Sequence, residues 1–157
     1  MTGEVEVNMD ELLPHRAPMV LLSGCSPQQA VDVVDAWVDI SPASPFYVPA
    51  MNGVPGCVAL EYMAQAMALC VGFCRRRKGL APKLGFVLGS RRLSIFVPCF
   101  RNGERYSVQA TCVYEDESFA SFKCSISDAH GSVAAEAQLS AFQPEDGLSR
   151  DKLEEFA

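Results

Sequence analysis

The sequence predicts an α+β domain in which an antiparallel sheet of five to six strands wraps one long central helix. Three observations predict it. One apolar stretch of helical character runs from Gly56 to about Lys78 and stops at Gly79. Behind it come successive strand patterns separated by short polar breaks, the signature of hairpins in an antiparallel sheet. The helix also carries small residues at Ala59, Ala64, Ala66, Ala68 and Gly72, which let a sheet approach closely. One helix and one sheet can bury their apolar faces together only if the sheet curls round the helix.

In chain order, Met9–Leu13 is a short helical turn ended by Pro14, and Pro18–Ser23 reads as a short strand. Val31–Ile40 sets Val31 and Val33 against Asp32, Asp35 and Asp39, so it is a strand with a slip in its register. Ser41–Val54 is rich in proline and holds Gly53, which makes it a long ordered loop, and loops of that length inside a domain usually serve a function. After the helix, Lys83–Leu88 and Leu93–Val97 read as halves of one bent strand. Arg105–Glu115, Phe119–Asp128 and Val133–Phe142 follow, with breaks at Asn102-Gly103, Glu115-Asp116-Glu117 and Asp128-Ala129-His130-Gly131. Residues 1–143 form one domain and residues 144–157 a polar tail.

Composition narrows the function. With 157 residues, 49% of them hydrophobic and 20% charged, the chain matches a globular protein with a substantial core. A net charge of −6 argues against nucleic acid as partner. The cations are clumped: Arg75-Arg76-Arg77-Lys78 and Arg91-Arg92 supply six of the thirteen. The first cluster suits a helix C-terminus. The second lies in a strand pattern and has no such local reason. Met1–Glu6 is acidic, with no secretory leader behind it. The apolar stretch from Cys57 to Cys74 is interrupted by Glu61 and Gln65, so it reads as a core helix and no membrane contact is expected. Seven cysteines, without a CxxC pair or a histidine cluster, fit neither a disulfide framework nor a metal site. Reduced thiols without a leader place the chain in the cytoplasm. Cys57, at the first helical turn, is the one thiol placed to line a site.

Glu61 and Gln65 are the strongly polar side chains between Gly56 and Phe73, and their spacing of four puts them on one helix face. An unpaired buried carboxylate costs several kcal/mol or takes up a proton. Glu61 is therefore either a functional carboxylate or a surface residue favoured by the positive helix end.

Pro55-Gly56-Cys57, Glu61 and Met63-Ala64-Gln65, with Leu12-Leu13-Pro14-His15-Arg16-Ala17-Pro18-Met19 ahead of them, resemble the hotdog-fold 3-hydroxyacyl-[acyl-carrier-protein] dehydratases of fatty-acid synthesis. A likeness covering nearly the whole chain runs through Pro14-His15-Arg16, Gly53-Val54-Pro55, Glu61-Tyr62-Met63-Ala64-Gln65-Ala66, Leu84-Gly85-Phe86, Gly89-Ser90-Arg91-Arg92 and Phe142-Gln143-Pro144. Together these resemble the dehydratase-like proteins of aryl polyene pigment clusters. The resemblance implies a hotdog fold, a dimer with an identical or a different hotdog subunit, acyl carrier protein as partner, and no cofactor.

It also implies dehydration of a 3-hydroxyacyl thioester on acyl carrier protein to the trans-2-enoyl thioester, in fatty-acid-like or polyene pigment synthesis. That chemistry needs a base for the C2 proton, an acid for the C3 hydroxyl, and backbone N–H groups for the carbonyl oxygen. Gly56 opens the helix for the last role, and Glu61, kept protonated by an apolar pocket, fills the second. The family's loop histidine, fourteen residues before the carboxylate, is replaced here by Tyr47. Of the two histidines, His130 falls in a turn; the base is then His15, from the same or a partner subunit, or a single carboxylate serves both steps and His15 is a hydrogen-bonded structural residue. The expected catalytic residues are Glu61 and His15, with Gly56, Cys57, Gln65 and Tyr47 at the substrate and Arg91 and Arg92 docking the carrier protein. The alternatives are a non-catalytic acyl-binding subunit of a heteromeric dehydratase, or an acyl thioesterase.

Overall fold

The computed structural model describes residues 7–144 apart from 29 and 84. Its centre is helix α1 (Ala59–Arg77), entered through a 3-10 turn at Gly56–Val58. The acidic start Met1–Glu6, Leu84 and the tail beyond Pro144 lie outside the described residues. Tyr62, Met63, Ala66, Leu69 and Phe73 bury one side of α1, and Gln65 is its buried polar residue. At Gly72 the helix meets the N-terminal segment 7–23, the leader of the domain, so closely that a Cβ would stand 2.2 Å from the Leu12 carbonyl oxygen. The basic cluster ends the helix as expected. Gly79 takes φ +71°, its N–H donates to Arg76 O, and the Leu80 N–H donates to Arg75 O.

Eight strands follow the chain: β1 (Gly24–Cys25), β2 (Val33–Asp39), β3 (Gly53–Pro55), β4 (Phe86–Ile95), β5 (Cys99–Arg101), β6 (Arg105–Glu115), β7 (Phe119–Ser127) and β8 (Val133–Phe142). Six form an antiparallel sheet in the order β1-β2-β6-β7-β8-β4, which curls round α1; β3 and β5 pair separately. This is the hotdog fold, and α1 is its core helix.

Two details differ from the sequence reading. Pro18–Ser23 is not a strand, because its backbone groups are taken by a helix side chain instead of a neighbouring strand. Gln65 Oε1 accepts from the Leu21 N–H at 2.9 Å and Gln65 Nε2 donates to Met19 O at 2.7 Å. The ladder starts only where the Ser23 N–H reaches Trp37 O, just before β1. The loop Ser41–Val54 also contains more structure than expected: a 3-10 turn at Pro49–Met51, Asn52 in the left-handed region, and β3.

The slip in β2 resolves in favour of the even positions. Val34, Ala36 and Val38 face the helix, while Asp35 and Asp39 face out and bond Gln109 and Arg105 across the β6 ladder. The two predicted halves are joined in one bent strand, β4, which takes in Phe86–Leu88 and Leu93–Ile95 but not Lys83, Gly85, Phe96 or Val97. Two bulges bend it, leaving Leu88 and Arg91 with no opposite residue on β8. Each bulge resets the alternation, which is why the sequence reads as two halves. β4 is an edge strand, and Phe86, Val87, Leu88, Leu93 and Ile95 are all exposed.

Candidate active site

Glu61 stands at the first turn of α1 with Gln65 one turn behind it. Gln65 is fully buried and its amide is saturated by Leu21, Met19 and, at 3.0 Å, Glu61 Oε1. A flipped amide would set its NH2 against the Leu21 N–H, so the orientation is fixed. Nε2 is then always a donor, and Glu61 Oε1 must always accept. His15 approaches the same oxygen, its Nε2 3.7 Å away. Among the described residues Glu61 Oε2 makes no hydrogen bond. The carboxylate is not sealed away, since the Glu61 side chain is 39% exposed. The closed apolar surroundings expected from the sequence are absent.

His15 Nδ1 is buried and has no hydrogen-bond partner among the described residues. An orphaned buried N–H is less tolerable than an orphaned acceptor, so a neutral ring carries its proton on Nε2, toward Glu61. Both residues open on a cavity of about 370 Å³. Its floor is the partly exposed stripe of α1, Ala64, Ala68 and Val71, and its walls are Phe86 and Val87 of β4, Phe119 and Ala120 of β7, and Ala141 and Phe142 of β8. Lys83 and the turn at 115–118 also line it, so the groove is apolar in part and charged in part. The sequence signal for it was present, because Ala64, Ala68 and Val71 continue the Glu61 face at helical spacing. The same alanines also fit close sheet contact, and pattern alone does not separate the two.

The other candidates lie elsewhere. The Gly56 N–H donates to Pro98 O at 3.0 Å, and a Cβ there would stand 2.5 Å from Val97 O, so this glycine is required by the crossing chain at 97–98. Cys57 is exposed at the same helix end. The remaining thiols include three deeply buried ones: burial pushes Cys25 up to about 11 and Cys70 and Cys124 up to about 12. Tyr47 donates its hydroxyl to Asn52 Oδ1 at 2.8 Å within its own loop. Arg91 and Arg92 are exposed on β4, away from the cavity lining. His130 is an exposed turn residue whose N–H is held by Asp128.

Residues 7–153 match the family model described as ApeP-like, ApeP dehydratase. The chain belongs to the ApeP-like family. Among solved structures, this ApeP-like chain is similar to one from the dehydratase heterocomplex ApeI:P of Xenorhabdus doucetiae. The identity is 32%, over 96% of this chain and 97% of that one, with a TM-score of 0.83. It is 28% identical over 132 residues to the 3-hydroxyacyl-[acyl-carrier-protein] dehydratase FabZ of Oceanobacillus iheyensis, covering 82% of this chain and 91% of that protein. A hypothetical thioesterase of Streptococcus pneumoniae, solved with coenzyme A, shares the fold at 13% identity and a TM-score of 0.59, over 74% of this chain and 82% of that one. The ApeP-like chain thus shares its hotdog fold with both dehydratases and a thioesterase.

Proposed function

We propose that this chain is the acyl-binding subunit of a two-chain dehydratase that acts on 3-hydroxyacyl groups carried by acyl carrier protein, in fatty-acid-like or polyene pigment synthesis. One observation carries the reading. The loop position where the related dehydratases hold a histidine is Tyr47 here, and its hydroxyl is committed to Asn52. The chain owns a helix carboxylate, its amide clamp and an acyl-sized groove, but no loop base. β4, which walls that groove with Phe86 and Val87, is an open edge on which a second hotdog chain can dock. That the Xenorhabdus relative comes from a dehydratase heterocomplex supports the same arrangement.

In the assembled site a base of the second chain takes the C2 proton, and the C3–O bond breaks. The hydroxyl departs as water with a proton delivered at Glu61 Oε2, since Oε1 is held by Gln65. His15 supports the carboxylate through Nε2 and is not the base, because its free lone pair, on Nδ1, is turned into the protein. With the Gly56 N–H occupied by Pro98, contact to the thioester oxygen falls to the Cys57 amide at the helix end.

The test incubates a 3-hydroxyacyl carrier-protein thioester with this chain, with a second hotdog subunit, and with both, read by mass spectrometry. Loss of water is expected only in the mixture, falling about a hundredfold when this chain carries Glu61→Gln. A chain that dehydrates unaided at the rate of the mixture defeats the subunit reading. Release of the free acid without an enoyl product identifies a thioesterase instead.

A further inference from the structure

β4 carries two cations, Arg91 and Arg92, and no acid among its ten residues. Both side chains are exposed, and among the described residues neither makes an ion pair or a hydrogen bond. Arg91 is the extra residue of a bulge, and Arg92 stands opposite Gln138, on the outward face of β8. Glu136 is the acid on that face, opposite Ser94, and it pairs with neither arginine.

A strand that pairs with its own copy about a two-fold axis does so antiparallel, and residues near its midpoint then meet themselves. The midpoint of Phe86–Ile95 falls between Ser90 and Arg91. A homodimer through this edge would gather both arginines of each chain around the axis, with no carboxylate on either strand to offset them. Like charges placed opposite one another on paired strands are destabilising. The patch also opposes the net charge of −6 on the whole chain, so general electrostatics do not explain it.

We infer that Arg91 and Arg92 select the partner. They disfavour pairing of β4 with its own copy and accept the edge strand of a different hotdog chain that bears carboxylates near its midpoint. The inference rests on the two-chain reading above.

The association measurement needs this chain alone. Self-association is measured by analytical ultracentrifugation for wild type, for Arg91→Glu/Arg92→Glu, for Arg91→Ser/Arg92→Ser, and for an equal mixture of wild type with the glutamate variant, each first checked for folding by circular dichroism. The mixture should assemble about tenfold more tightly than either component at about 0.05 M salt, with the gain shrinking to within about threefold near 1 M, where screening is strong. The serine variant should self-associate more tightly than wild type at low salt, which keeps the test open if the glutamate variant does not fold. Equal self-association of wild type and serine variant, or a mixture without gain, overturns the selection. If that mixture shows no gain while the two-subunit assay still yields water loss, the two-chain reading stands and the arginine selection falls. A gain in the mixture from a chain that dehydrates unaided keeps the charge rule at this edge and removes the two-chain reading. Weakened carrier-protein binding by the serine variant with unchanged assembly also overturns the selection, and assigns the pair to carrier docking.

Discussion

Gln65 Nε2 lies 3.0 Å from Glu61 Oε1, and the amide that makes this bond is locked by two backbone groups of the leader. The position of the carboxylate is thereby tied, through Gln65, to residues 44 and 46 positions before that glutamine. Gln65→Met keeps the volume and removes all three bonds, leaving the Leu21 N–H and the Met19 carbonyl without a side-chain partner. Stability should fall by about 2 kcal/mol, read from urea unfolding, with turnover of the assembled enzyme falling as well. A loss under about 0.5 kcal/mol would mean that the leader is held by its apolar contacts alone.

His15→Ala separates support from structure. Its Nδ1 has no partner to lose, and the Nε2 contact with Glu61 is 3.7 Å long in a half-open setting. Thermal stability should therefore change by less than about 1 kcal/mol, while turnover drops by about tenfold through a less well held carboxylate. A drop of a thousandfold or more would restore His15 as the base.

Ala68→Leu tests the groove. The added carbons project from the cavity floor between Glu61 and the far wall. Long acyl thioesters should lose about tenfold in kcat/KM relative to short ones, the usual penalty for a mismatch of a carbon or two in an apolar pocket. An unchanged chain-length profile would place the acyl group elsewhere.

Alkaline pH should unfold the chain through its buried thiols. Desolvation pushes Cys25 up to about 11 and Cys70 and Cys124 up to about 12, from 9.0. In the unfolded chain these groups ionise near the ordinary value, so the unfolded state sheds protons first. Their contribution is complete below about pH 9 and is lost as pH rises, on the order of 1 kcal/mol per thiol and about 3 to 4 kcal/mol in all by about pH 10. Urea midpoints across this range check it, and Cys124→Ala should remove about a third of the fall. A midpoint that stays level to about pH 10 would mean that the thiols do not resist ionisation in the fold.

What could be read from the sequence was local. The strands Arg105–Glu115 and Val133–Phe142 are bounded by turn residues that act within a few positions, with Gly103 and Gly131 both at φ near +80°. Glu61 and Gln65 were visible because polar residues in an apolar helix are few, and His15 because the chain has two histidines; the structure gathers these three. Long-range bonding was not visible. Pro18–Ser23 fails as a strand because a side chain from the helix takes its backbone groups, and β3 and β5, at three residues each, are too short to show a period. Gly56 has the right residue type for a thioester contact, yet its amide goes to Pro98, a partner named by tertiary packing alone.

The sheet order bears on how the chain is made. β2 pairs with β6 across 66 to 78 residues, from Asp39 with Arg105 to Val33 with Thr111, and β4 waits for β8. On the ribosome the apolar helix emerges before β6, β7 and β8, which complete its cover, and β2 and β4 emerge before their long-range partners β6 and β8. Such non-local pairing folds slowly and exposes adhesive surface in the meantime. Until β8 has left the exit tunnel the nascent chain therefore carries unpaired strand edges beside uncovered apolar surface, and the β4 edge of this chain stays open after that.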